Sequence, residues 1–280
     1  MKKFKIGIMA ESFRKPIAEG IKAAAELGAD GLQIYGVRGE ITADITKQQR
    51  HDLLAYVKAN GLEVSAVCGD FGGHGFAVRA DNPKKIEDSK RVIELAKDLG
   101  TNIITTHIGM VPTEKNESYE ILFDACRKLA EAAKAQDAVF AIETGPELAA
   151  TLKGFLDDIG TPGIGVNYDP ANLVMVSGED IVQGVYTLRD YIVHTHAKDG
   201  KRLKPIDPAR VYANFTEEFI DFKEYFIEVP LGEGGVDFDK YLAALSDIGY
   251  NGYLTIEREV GNQPEKDIQM AVDFLNQRIG

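Results

Sequence analysis

The sequence predicts an α/β fold: a closed (β/α)8 barrel, the TIM barrel, with a long insertion after the seventh strand. Three observations predict it. Short β-type runs alternate with longer helical patterns along the whole chain, which implies a parallel sheet. The unit recurs eight times in 280 residues, which suits a closed barrel better than an open doubly wound sheet. No low-complexity linker divides the chain, so residues 1–280 read as a single domain.

The elements follow in order. FKIGIMA (4–10) is the first strand. PIAEGIKAAAELG is a helix, with Pro16 at its start and Gly28 at its end, the places each residue favours. GLQIYG (31–36) is the second strand. A helix near 46–60 stops at Gly61, and EVSAVCGDF (63–71) is the third strand. Pro83 opens a helix that ends at Gly100. NIITTHIG (102–109) is the fourth strand, with a helix near 117–136 behind it. AVFAIETG (138–145), GIGVNYDP (163–170) and YIVHTHA (191–197) are the next three strands, separated by helices near 147–159 and 179–189. A helix near 237–248 ends at Gly249. GYLTIERE (252–259) is the eighth strand, and a helix from about 264 completes the pattern.

Residues 199–236 interrupt the rhythm between the seventh strand and its helix. A βα connection usually takes about two to six residues. This one holds Pro205, Pro208 and Pro230 and the aromatic-rich run VYANFTEEFIDFKEYFIEVP. At the C-terminal face of a barrel it reads as a lid over the site, against the plainer reading of a surface elaboration or subunit contact.

Composition narrows the function. Asp plus Glu is 44 and Lys plus Arg is 32, a net charge of −12. Such a chain repels polyanions, so no nucleic-acid partner is expected. No segment approaches the ~18 apolar residues of a membrane span, and the apolar part of MKKFKIGIMAES is too short for a signal peptide. No membrane partner and a cytoplasmic location are therefore expected. Homo-oligomerisation stays open. Cys68 and Cys126 have no metal-finger spacing and read as buried free thiols.

In such a barrel the active site lies at the C-terminal ends of the strands. The fourth strand ends in His107, the fifth in Glu143, the sixth in Asp169, the seventh in His194 and His196, and the eighth in Glu257. Side chains alternate along a strand. In AIE, GVNYD, IVHTH and YLTIE this puts the polar ends on one face and Ile142, Val166 and Ile256 on the other. Taken singly, each carboxylate reads as a helix N-cap and each histidine as a core residue. Four successive strands in agreement point to a site. Converging carboxylates repel unless a counter-charge is present. Mixed nitrogen and carboxylate donors without thiolate suit one divalent metal ion: Mn²⁺, Co²⁺ or Mg²⁺, with Zn²⁺ as a further candidate.

The runs AIETGPE, NYDPAN, VHTHAKD, PLGEGGVDF and GYLTIERE resemble the xylose-isomerase-like TIM-barrel superfamily of sugar isomerases and epimerases, over essentially the whole chain. The resemblance to its ketose 3-epimerases implies that Glu143, Asp169, His196 and Glu257 hold the metal. It implies that Glu143 and Glu257 form the acid/base pair, and that Arg202, six residues after His196, helps to bind substrate. His194 then supports the site. The chain departs from those epimerases at Asn172, where they carry a histidine. With five histidines in all, it has too few for the three-zinc site of the related apurinic endonucleases. Lys198, Glu147, Glu11 and His107 are further candidate substrate contacts.

These residues predict a divalent-metal-dependent sugar isomerase or epimerase. It moves a proton next to a carbonyl through an enediolate, on a small sugar or keto-sugar. Two alternatives remain at this stage. One is a keto-sugar or inosose-type dehydratase or lyase. The other is a non-catalytic carbohydrate-binding barrel.

Overall fold

The computed structural model describes residues 3–212 and 220–280. Eight parallel strands close into a barrel: β1 (Lys5–Met9), β2 (Gly31–Tyr35), β3 (Glu63–Cys68), β4 (Ile103–Thr106), β5 (Val139–Glu143), β6 (Ile164–Tyr168), β7 (Ile192–Ala197) and β8 (Tyr253–Ile256). Each pairs with the next in sequence, and β8 closes onto β1 through Lys5↔Tyr253 and Ile8↔Ile256. The helices between them are α1 (Ile17–Glu26), α2 (Lys47–Ala59), α3 (Asn82–Asp98), α4 (Glu117–Lys134), α5 (Ala149–Ile159), α6 (Ile181–Leu188), α7 (Phe238–Asp247) and α8 (Pro264–Ile279). Among the described residues no helix is long and apolar enough to cross a membrane.

Period-two alternation explains the core. Ile6, Ile8, Leu32, Ile34, Ile142, Val166, Leu254 and Ile256 are buried. They belong to the apolar cluster shared with α-helix residues such as Val92, Leu122, Phe155 and Leu245. Their strand neighbours turn to the axis. There Gln33 bonds Thr105 at 3.0 Å, and Asn167 and Thr255 both reach His194. Cys68 and Cys126 are buried and unbridged, as the sequence suggests.

Two boundaries differ from the sequence reading. β3 stops at Cys68, not at residue 71. The Gly69 amide donates to the Thr105 carbonyl, and Asp70 Oδ1 then accepts from the Gly72 amide at 2.7 Å. Gly72 and Gly73 have φ of 72° and 63°, a conformation glycine allows without steric cost. The chain turns there and delivers Asp70 to the barrel mouth. α5 starts at Ala149, two residues late, because Leu148 is still extended.

After β7 the chain forms an antiparallel hairpin, Asp199–Arg202 against Phe226–Val229. Asp199 anchors it. Its carboxylate accepts from the amides of Gly200, Gly232, Gly234 and Val236 at 2.9–3.1 Å. A Cβ at Gly234 would lie 2.0 Å from Asp199 Oδ1, so the turn in PLGEGG needs glycine for close approach. Part of the lid reading of this insertion falls on residues 213–219, outside the described residues.

Candidate active site

Four successive strands deliver four side chains to one point. Glu143 ends β5, Asp169 follows β6, His196 lies near the end of β7, and Glu257 follows β8. One donor atom from each lies within 4.8 Å of all the others, and all four residues are buried. His196 Nδ1 is 3.6 Å from Glu143 Oε1, 3.6 Å from Asp169 Oδ2 and 3.3 Å from Glu257 Oε2.

The surroundings aim these atoms. Gln33 Nε2 donates to Thr105, which leaves Gln33 Oε1 as an acceptor 3.1 Å from His196 Nε2. Nε2 also lies 3.1 Å from Asn167 Nδ2, and the ring held by these two amides turns Nδ1 towards the three carboxylates. Asp169 Oδ1 caps the next turn through the amides of Ala171 and Asn172. Asp169 Oδ2 is buried without a hydrogen-bond partner, and so is His196 Nδ1. Asn172 and Asn167 each donate to one oxygen of Glu143 at 3.1 Å. His194 lies deeper. Its Nδ1 meets Asn167 Oδ1 at 2.9 Å, and its Nε2 meets the Thr255 hydroxyl at 3.0 Å. Burial and the neighbouring His196 hold its pKa well below the ordinary value, so it is a neutral support.

This donor set fits a divalent cation. Two unpaired buried atoms, one imidazole nitrogen and three converging carboxylates cannot satisfy one another. Burial opposes a charged His196, yet Glu257 and Glu143 raise its pKa well above normal. The proton held this way occupies the place a metal would take, and metal binding would release it. Nitrogen and carboxylate donors without sulfur match Mn²⁺, Co²⁺, Mg²⁺ or Zn²⁺ chemistry.

Above the cluster lies a cavity of about 580 Å³. His107 lines it, with Nε2 3.5 Å from Glu143 Oε1 and Nδ1 3.3 Å from Asp70 Oδ2. Burial opposes its charge, but Glu143 and then Asp70 raise its pKa to about 10. Tyr212 of the insertion stacks on its ring at 5.6 Å. Lys198 also lines the cavity, but as one member of an ion network. Its Nζ is 2.9 Å from Glu257 Oε2, 2.5 Å from Glu259 Oε2 and 3.9 Å from Glu228 Oε2. Burial disfavours the ammonium, yet Glu257 and Glu259 hold its pKa well above the usual lysine value.

A family model described as xylose isomerase-like TIM barrel matches residues 21–278. The chain belongs to that family. L-ribulose-5-phosphate 3-epimerase UlaE of Escherichia coli O157:H7 is 24% identical to this family member over 84% of this chain and 79% of the epimerase. A solved xylose isomerase domain protein from Planctomyces limnophilus superposes with a TM-score of 0.80 at 24% identity, over 98% of this chain and 96% of the other. The probable 3-DHS dehydratase AsbF of Bacillus anthracis, involved in petrobactin synthesis, gives 0.76 at 22% identity, over 98% and 100%.

Two expected substrate contacts of this family member, Arg202 and Glu147, do not line the cavity, and a third, Glu11, lines an adjoining recess. Arg202 is at the far end of the hairpin. It turns away from the cavity to the Ser177 carbonyl, 3.3 Å from Nη1, and is exposed to solvent. The insertion breaks the spacing on which its assignment rested. Glu11 sits in a short helical turn after β1 and accepts the Tyr35 amide at 3.1 Å. It lines a recess of about 180 Å³ that shares Met9, Tyr35, Arg38, Glu257 and Glu259 with the cavity, and burial raises its pKa to about 7. Glu147 is buried and accepts the Val111 amide at 3.1 Å, tying the loop after β5 to the loop after β4.

The setting of Glu147 has a measurable consequence. Burial raises its pKa from 4.5 to about 8. The folded state thus favours the neutral acid. The group costs nothing below about pH 4.5, and its cost grows as pH rises to about 8. At roughly 1.4 kcal/mol per pH unit the full cost is up to about 5 kcal/mol. Glu147→Gln keeps an oxygen for the Val111 amide and cannot ionise. The variant is expected to match the wild type at pH 4–5 and to exceed its stability at pH 9, as read by denaturant unfolding across that range. Parallel pH profiles would refute this reading of Glu147.

Sequence reasoning passed over Gln33, Asp70, Tyr212 and Glu228. Gln33 was visible: a lone polar residue between Leu32 and Ile34 has to face the axis. Asp70 comes from a loop, and Tyr212 and Glu228 come from a helical turn and a hairpin strand of the insertion, which belong to no barrel repeat.

Proposed function

We propose that the protein is a divalent-metal-dependent sugar epimerase or isomerase that moves a proton at the carbon beside a carbonyl. The observation that carries this is the convergence of Glu143, Asp169, His196 and Glu257 from four successive strands, with two of their atoms left unpaired. These four residues would hold the cation. A cation bound there supplies Lewis-acid stabilisation of the negative charge that develops on the carbonyl oxygen.

The chain's own groups handle the proton. Glu257 is the base. Burial alone would raise its pKa, but Lys198 and His196 keep it well below the ordinary value, so it is ionised and ready to accept. The returning side lies across the barrel. β4 stands four strands from β8, diametrically opposed in an eight-stranded ring. His107 follows β4, and Glu143 lies 3.5 Å from it. Proton removal on one wall and return from the other inverts the carbon between them.

A second reading rests on Lys198. Its ammonium, 2.9 Å from Glu257, is a proton donor on the same wall as the base. That arrangement also suits removal of a proton and loss of a neighbouring hydroxyl as water, the reaction of a dehydratase. One experiment separates the readings: incubation with Mn²⁺ and a panel of keto-sugars in D₂O, followed by NMR. Epimerisation gives deuterium at the carbon beside the carbonyl together with an inverted product. Dehydration gives loss of water. Bound sugar with neither exchange nor elimination would leave a non-catalytic binder and overturn the proposal.

A further inference from the structure

The cavity has two unlike halves. Its floor is polar, built by Glu143, Glu257, Lys198, Asn172, Asp70 and His107. Its other side is mostly apolar, although Lys223 and Glu228 of the insertion line it too. Met175 and Val176 come from the segment after β6, and Val211, Phe222, Phe226 and Ile227 come from the insertion. Phe222 and Phe226 stack on each other at 5.9 Å with 20° between their planes. The hairpin anchored by Asp199 fixes this wall over the cluster. Barrel closure does not require it, since the eight strands close without the insertion.

A volume of about 580 Å³ is within the range of roughly 300–1,000 Å³ that takes drug-sized ligands and exceeds what one sugar ring fills. A free sugar carries a hydroxyl on nearly every carbon. A hydroxyl turned to the Phe222, Phe226, Ile227, Met175 and Val176 side chains gives up water and gains no partner there, which disfavours binding. A group without hydroxyls gains by burial against the same wall. Flat aromatic groups gain further from the Phe222 and Phe226 rings.

We propose that the substrate is a glycoside of a keto-sugar: the sugar ring lies on the polar floor, and an aromatic or alkyl aglycone lies against the wall built by the insertion. This rests on the sugar-processing reading above and names its substrate class. The aglycone-side residues are Phe222, Phe226 and Ile227, with Met175 and Val176 at the base.

The test measures binding by calorimetry to the full-length protein loaded with Mn²⁺. The probes are the phenyl and methyl glycosides of 3-keto-glucose and the free keto-sugar. The phenyl glycoside is expected to bind at least about tenfold more tightly than the methyl glycoside, from the burial of one ring. Phe226→Ala is expected to cut that preference to about threefold or less and to leave the methyl glycoside within about twofold. Phe222→Ala provides an independent variant should Phe226→Ala fold poorly. Equal affinity for the phenyl and methyl glycosides overturns the inference and leaves the sugar reading standing. A phenyl preference untouched by both variants also overturns it. Binding of Mn²⁺ with none of the three sugars overturns the inference and the sugar reading together.

Discussion

Glu257→Gln is expected to lower kcat for proton transfer by about 10²–10⁴-fold, the usual contribution of a positioned acid or base. The reason lies in the carboxylate's surroundings. Its Oε2 accepts from Lys198 at 2.9 Å and lies 3.3 Å from His196 Nδ1. Both contacts favour the ionised form against the cost of burial. A glutamine has the same shape and offers one oxygen to Lys198, but it cannot take up a proton. The fold is therefore expected to survive, and the loss to fall on kcat at saturating Mn²⁺. Single-turnover rates for the wild type and the variant, compared at saturating metal, give the number. Wild-type turnover by metal-loaded Glu257→Gln would remove Glu257 from the mechanism. Solvent-deuterium exchange into substrate is expected to fall with the rate, because removal of the proton precedes exchange.

His196→Ala is expected to weaken divalent-metal binding by more than about 100-fold. Loss of an outer-shell partner alone typically costs about 10–100-fold. His196 is the only nitrogen donor in the cluster of four. Its removal also leaves Glu143, Asp169 and Glu257 facing one another without the imidazole that sits 3.3–3.6 Å from each. The ion then loses one of its four ligands, and the three carboxylates are left to repel one another. The variant is accordingly expected to lose the thermal stabilisation that Mn²⁺ gives the wild type. Gln33→Leu is a gentler probe of the same idea, because it removes the acceptor 3.1 Å from His196 Nε2 and leaves every ligand in place.

Most of the fold was legible because the barrel repeats one rule. Alternation within each strand separates Ile142, Val166 and Ile256 from Glu143, Asn167 and Thr255, and the structure keeps that division. The four candidate ligands were legible for the same reason, since they end consecutive strands. The second-layer groups were harder. Asn172 registered in the sequence only as a departure from a histidine, yet its amide donates to Glu143 Oε1 and fixes that carboxylate. Asp169 carries both readings that its residue type allowed. One oxygen is a helix cap, and the other is the free atom at the site.

Residues outside the barrel strands were not legible, because their direction depends on turns and on the insertion rather than on the barrel's period. Arg202 was placed by spacing from His196, and the hairpin turns it to Ser177. Glu147 has the residue type of a substrate contact, but it spends an oxygen on the backbone amide of a neighbouring loop. Conversely, Asp70 reaches His107 because Gly72 and Gly73 turn the chain after β3. Tyr212 covers His107 only because the insertion folds back over the barrel mouth. The long-range pairing of Asp199 with the PLGEGG turn spans more than thirty residues, and no local pattern announces it.

The most direct measurement is a Mn²⁺ titration of the metal-stripped protein, followed by both metal content and thermal unfolding, with His196→Ala beside the wild type. One equivalent of metal is predicted for the wild type. Free Mn²⁺ at about 100 times the dissociation constant adds roughly 2.7 kcal/mol of stability, which raises Tm by about 5 °C or more, while His196→Ala shows neither effect. Less than about a tenth of an equivalent bound with no change in Tm, or binding by His196→Ala equal to that of the wild type, would contradict a metal centre built by Glu143, Asp169, His196 and Glu257.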